Sequence, residues 1–382
     1  MASSINASTS GGGGVITTAD SSGNLDIQSG GSTVVAVTST GASVTGTLAA
    51  TGAVTLTGSL NTPNTFGFKN RIINGAMVLD QRNAAASQTF TAAAALAYSV
   101  DRWYGYCTGA NVTGQQVAGS TTPTNTQFRY KFTGAASVTA VGFGQRIEQK
   151  NSYDMAGSTC TLSADLAISA TLTTVTWTAS YATTTADTFG TLASPTVTQI
   201  ATGTFTVSAT VTNFSTNISV PAAATTGIQI VFTVGALTAG LTWTIGNVQL
   251  EKGSTATSFD YRSYGTELAL CQRYLPAISG ANGASSGSIG LGGFYDTTHA
   301  VIGIAFQVPT RIAPTGVTIS AASDFAVDGL TSATCTAIAF SSTSTIMAGI
   351  NITYNTTTTA GSIGRMRTNS ASALMLFTGC EL

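Results

Sequence analysis

Charge is what this sequence has least of. Only 8% of its 382 residues are Asp, Glu, Lys or Arg, and the net charge is −1, against roughly 25% charged residues in an ordinary soluble protein. That leaves no basic footprint for nucleic acid or for an anionic membrane surface. Histidine is almost missing: His299 stands alone. A His-based triad and a His-cluster zinc site are therefore excluded, and His299 reads as a residue at a strand start. No stretch approaches the roughly 20 apolar residues that span a bilayer. Met1–Ser8 also lacks the basic and apolar regions of a secretory signal, so a chain made soluble, with no membrane insertion, is expected. The five cysteines, Cys107, Cys160, Cys271, Cys335 and Cys380, are scattered and odd in number. None sits at metal-site or redox spacing, which predicts free, buried thiols.

Thr, Ser, Gly and Ala take the place of the missing charge, and 43% of residues are hydrophobic. β-Branched Thr suits a pleated surface and suits helices poorly. The length allows two or three domains. Residues 1–65 carry short strand-like pieces between Gly-Asn and Gly-Gly turns, with a twelve-residue echo between Val44–Leu48 and Leu56–Leu60. They hold too few large apolar side chains to close a core, so identical chains around a three-fold axis are the expected partner. Asn61-Thr-Pro63 marks a boundary.

Beyond it, period-two alternation recurs. Val175, Trp177, Ala179 and Tyr181 share a face, as do Phe205, Val207, Ala209 and Val211, and Ile228, Ile230, Phe232 and Val234. This predicts an antiparallel sandwich of jelly-roll type over 66–262. Trp103 and Trp243 should point into it, with Arg102 and Tyr104 pointing outward. At Gly246-Asn247 the alternation slips by one residue, as at a β-bulge. Glu267–Leu275 is the one sustained run of helix formers, with Thr266 as N-cap and Pro276 as the stop. Gly280–Gly293 reads as a loop, and residues 263–382 as a helix plus a distal β-domain. The fold class is all-β.

The run from Val248 to Arg262, VQLEKGSTATSFDYR, and the run from Tyr264 to Tyr274, YGTELALCQRY, resemble a segment found in tailed-phage fibre and appendage proteins. There the first half closes a jelly roll similar to carbohydrate-binding modules. Asn70–Asn83, Tyr98–Tyr106, Phe306–Thr315 and the ending Thr378–Leu382 resemble the same proteins. The resemblance implies a virion location after assembly in the host cytoplasm, docking to other virion proteins through residues 1–65, a homotrimer, and adhesion to host-surface polysaccharide. It admits a structural calcium, with no ligand set assignable from the residues, and otherwise no cofactor.

Catalytic chemistry has little to stand on. Asp154 with Asp165, or Asp324 with Asp328, are the acids that would serve as a glycosidase pair, and Gly142–Arg146 is no phosphate loop because no Lys-Ser/Thr follows. Sugars are held by aromatic faces and fixed polar groups. With the three Trp assigned to the core, the platform candidates are Tyr104, Tyr106, Tyr181, Phe294 and Tyr295. Adhesion without catalysis is the first reading. The rivals are a purely structural virion component (capsid fibre, decoration or tail adaptor) and a polysaccharide depolymerase.

Overall fold

The computed structural model describes residues 24–39, 41–45, 68–92, 96–119, 126–169, 171–280 and 287–382. The chain divides into two units, Met1–Asn61 and Thr62–Leu382. In the first, β1 (Leu25–Ser29), β2 (Ser32–Thr38) and β3 (Gly41–Val44) form an antiparallel meander. None of its described residues is buried, and Leu25 and Ile27 are more than half exposed. A three-stranded sheet needs an apolar face packed against something to be stable. Most of the twelve-residue echo and the Asn61–Pro63 boundary lie outside the described residues.

The second unit is built around a sandwich. Its first sheet runs β13 (Thr212–Ser219), β10 (Thr159–Ile168), β15 (Thr242–Lys252), β8 (Phe128–Thr133), β7 (Val112–Ala118), β4 (Gln88–Phe90). The second runs β12 (Val197–Thr206), β11 (Thr174–Ala182), β14 (Ile228–Val234), β9 (Ala140–Ile147), β6 (Tyr104–Thr108), β5 (Ala97–Tyr98). All pairings are antiparallel. The chain changes sheet between β4 and β5, between β6 and β7, at each step from β8 to β11, and at each step from β12 to β15, which is a jelly-roll pattern of crossings.

Alternation decides the core. Trp103, Phe143, Tyr130, Phe132 and Trp243 all point inward and are fully or almost fully buried. Trp103 stacks on Phe143 at 4.8 Å, Phe143 on Tyr130 at 4.8 Å, and Phe132 on Trp243 at 5.3 Å, all with near-parallel rings. Trp103 Nε1 donates to the Asn74 carbonyl at 3.0 Å, so the indole's one polar atom is satisfied inside. All five cysteines are free and buried.

The distal part has its own core. β17 (Ser288–Phe294), β18 (His299–Ala305), β22 (Met347–Tyr354), β21 (Ser332–Thr343), β20 (Phe325–Asp328) and β23 (Ile363–Thr368) close into a six-stranded barrel. A small sheet of β16 (Ala277–Ser279), β24 (Leu374–Thr378) and β19 (Gly316–Ile319) lies beside it. The expected Gly280–Gly293 loop is corrected here, since Ser288–Phe294 is a barrel strand. A side chain at Gly292 would strike the Val301 backbone, so glycine marks close strand packing rather than a turn. The helix is Tyr264–Gln272, not Glu267–Leu275, and follows Ser263 rather than Thr266. Its start is held by Glu267, which accepts from the Asn74 amide and pairs with Arg262 at 3.1 Å.

Arg102 and Tyr104 do point out of the sandwich, but not into solvent. Arg102 is 1% exposed. Its guanidinium lies 3.6 Å from the Tyr274 ring centroid, pairs with Glu381 and donates to the Arg146 carbonyl at 2.6 Å. Arg273 closes the same seam on Glu148 at 2.8 Å. The end of the chain thus covers this patch of the second sheet.

Three outcomes follow. Trp103→Ala should cost about 3–5 kcal/mol in chemical denaturation. Glu381→Gln leaves Arg102 a buried cation without its anion, and should also cost about 3–5 kcal/mol. Burial pushes the Asp101 carboxyl up to about 7, against hydrogen bonds from Gln81. The folded state then binds the proton more tightly than the unfolded one, so this stabilising contribution is full below pH 4 and is lost as pH rises towards 7. Relative to Asp101→Asn, the native protein should lose up to about 4 kcal/mol over that window, and parallel pH profiles would refute it.

Candidate functional site

The slip in alternation at Gly246-Asn247 is a β-bulge. Ser163 pairs with Gln249 and Asp165 with Gly246, so two residues of β15 oppose the single Ala164 of β10. Asn247 takes a left-handed φ of 43°, which Asn tolerates better than most residues. Two consequences build a site on the outer face of the first sheet. Gly246, lacking a side chain, leaves room for the stem of Arg129, whose Cγ would meet a Cβ there at 2.9 Å. And the Asn247 amide is turned onto Asp165.

Asp165 is 3% exposed and fully engaged. Asn213 Nδ2 donates to its Oδ1 at 2.9 Å, while Asn247 Nδ2 at 2.9 Å and Thr126 Oγ1 at 3.3 Å donate to its Oδ2. Tyr261 Oη donates to Asn247 Oδ1 at 3.2 Å. The Tyr261 ring is 46% exposed and packs edge-on against Phe259 at 4.7 Å. Partial burial raises the phenol's pKa, so it is a neutral donor at ordinary pH. Burial lowers the pKa of Arg129 while Asp165 and then Tyr261 oppose the shift.

Beside this cluster runs a groove of about 440 Å³. Val117, Arg129, Ala167 and Thr244 line it, and Ala209–Val211 forms a wall. Arg129 joins the two: it lines the groove, lies against Gly246 of the bulge and is within electrostatic reach of Asp165 and Tyr261. This is the chemistry of binding a hydroxylated ring, with polar groups setting orientation and an aromatic face supplying contact. Asp165 is the one carboxylate in the cluster. Among the described residues no three His, Cys, Asp or Glu come together.

The platform candidates are dispersed. Tyr104 and Tyr106 are neighbours on the outer face of the second sheet, but Tyr104 is 1% exposed because Arg146 lies over its ring and the chain end covers Arg146. Tyr106 is half-buried, lying over Gly142, in the row Tyr106–Gly142–Thr233–Thr176–Thr204. Tyr181 packs against the core edge. Phe294 is inside the barrel, edge-on to Tyr354 at 5.5 Å, and offers no face to a ligand. Tyr295 is exposed and stacks on His299 at 5.7 Å. His299 opens β18 and pairs with Asp296. Gly142–Arg146 lies in β9. Asp154 is paired with Arg71, Asp328 with Arg365 and Arg367, and Asp324 accepts from Ser320 and Ser370. Sequence reasoning did not single out Asn213, Asn247 and Tyr261, and weighed Asp165 only as a catalytic acid. The one available signal was the bulge.

Asp165→Ala removes the buried acceptor shared by Asn213, Asn247 and Thr126, for a loss of about 1–3 kcal/mol. An unchanged unfolding midpoint would show that the network is not the one described.

No protein-family model matches the chain, and no curated protein matches it in sequence. Among solved structures it is similar to the enzymatically active domain of tailspike protein 4 of bacteriophage CBA120, with 16% identity over 50% of this chain and 22% of that one, and a TM-score of 0.32. It is also similar to the family 11 carbohydrate-binding module of Clostridium thermocellum, 12% identical over 46% of this chain and 100% of that one, TM-score 0.27. The CBM22-2 xylan-binding domain of Paenibacillus barcinonensis Xyn10C is 14% identical over 40% of this chain and 92% of that one, TM-score 0.27. The match spans about a fifth of the tailspike chain. At this level the likenesses assign no family.

Proposed function

We propose that this chain is a non-enzymatic, homotrimeric fibre or appendage protein of a tailed-phage virion, attached through residues 1–65 and adhering to host-surface glycan through the groove beside Tyr261. The observation that carries the glycan reading is the convergence of a half-exposed Tyr261 ring, the Asn247–Asp165–Asn213 network and an open groove on one sheet face. The trimer is supported by the uncovered apolar side chains of β1–β3. The non-enzymatic reading is supported by the single carboxylate at the cluster, since glycoside cleavage uses two that flank the bond.

A purely structural virion component is the second reading. What favours it is that Asp165 is already satisfied by three donors from within the protein.

Native mass spectrometry of the full chain should show a trimer, and deletion of residues 1–61 should weaken it. A stable monomer of the intact chain at micromolar concentration would contradict the trimer. Tyr261→Ala should reduce binding to host polysaccharide about tenfold or more, the loss of one stacked ring at ~1.4 kcal/mol or above. With so little charge, binding should change little between low and moderate salt. Undiminished binding by Tyr261→Ala would remove the groove from the account, and no binding by the native protein would favour the structural reading.

A further inference from the structure

A second pocket, of about 290 Å³, opens where the chain leaves the helix Tyr264–Gln272 for the distal part. Just after Pro276 the chain enters β16, which is the edge of its sheet and pairs with β24 alone. Residues of an antiparallel strand turn their N–H and C=O groups to alternate edges. Phe377 N donates to Pro276 O, and Gly280 N to Ala373 O, so positions 276, 278 and 280 face β24. Ala277 and Ser279 therefore turn their main-chain groups to the open edge, and both line the pocket.

Apolar side chains contribute as well: Phe306 is half-buried and held edge-on to Phe377 at 5.0 Å, and Ile278 of β16 and Ile289 of β17 add aliphatic surface. Gln272 and Gln307 complete the lining, and among the described residues no ionisable one contributes to it. A charged ligand would lose its hydration there and meet no counter-charge, which is costly. A ligand with one apolar face and several hydroxyls would find there both ring and aliphatic surface and amide donors and acceptors. The volume sits at the low end of ligand sites, about 300 Å³, and suits one ring rather than a stretch of polymer.

The geometry points to a saccharide subsite in the distal domain that takes a single neutral pyranose unit between Phe306 and the edge of β16. It shares no residue with the Tyr261 groove, so it stands or falls separately from the proposal made for that groove.

The test is ligand-observed saturation-transfer NMR on the full-length protein, with methyl β-D-galactopyranoside and methyl α-D-glucopyranoside as neutral probes and D-glucuronate as the charged one. Transfer to at least one neutral glycoside is expected in the native protein and in Tyr261→Ala, with none to glucuronate. The signal should fall at least fivefold in Gln307→Glu. Gln307 is exposed, so that variant keeps the fold, confirmed by an unchanged unfolding midpoint. Phe306→Ala should abolish the signal too, but it also loosens Phe377 and is the supporting variant only. No transfer to either neutral probe, equal transfer to glucuronate, or a signal lost in Tyr261→Ala and kept in Gln307→Glu would each overturn the assignment.

Discussion

A buried guanidinium holds the second unit together. Arg102 leaves the sandwich just before Trp103, stacks on Tyr274 beyond the helix and pairs with Glu381 at the end of the chain. In a protein with 14 Lys and Arg residues, several of them meet at this seam, with Arg82 on Glu381, Arg273 on Glu148 and Arg262 on Glu267. A buried ion pair adds little net stability compared with apolar packing, but losing one partner is costly. Its effect is therefore to specify one arrangement of barrel and sandwich. The surface left outside is poor in charge and rich in threonine.

The same economy shapes the groove. A single extra residue in β15 does two things at once: it turns Asn247 onto Asp165, and it sets Gly246 beneath Arg129. The strap that follows β15 folds back over that strand, with Asp260 N donating to Gln249 Oε1 and Tyr261 Oη to Asn247 Oδ1. Bulges bend strands and re-aim side chains, and they recur next to functional sites for that reason. The groove lies on the outer face of the first sheet and the Arg102–Glu381 pair beyond that of the second, with the stacked Trp103, Phe143 and Tyr130 between the sheets.

The all-β fold was legible because alternation is a local signal. Val175, Trp177 and Ala179 on one face of β11, and Ile228 to Val234 along β14, report burial directly. The bulge was legible for the same reason, as a break in phase between Ile245 and Val248. What alternation cannot report is what covers an outward residue. Tyr104 points out of the sandwich, yet Arg146 and the chain end bury it. Phe294 followed a glycine-rich run that reads as a loop and is instead a barrel strand, its ring in the core. The cluster on the bulged face was illegible because Asp165, Asn213, Asn247 and Tyr261 come from four separate segments, and only register and the bulge bring them together.

The central claim is that the bulged face of the first sheet is where glycan binds. A crystal structure of the full-length protein soaked with oligosaccharides cut from the host-surface polysaccharide tests it most directly. The account predicts a sugar ring seated on Tyr261, with hydroxyls within hydrogen-bond distance of the Asn247–Asp165 network and the chain running along the groove past Thr244 and Ala167. Sugar bound on the threonine rows around Tyr106, with the Tyr261 groove empty at the same concentration, would contradict it.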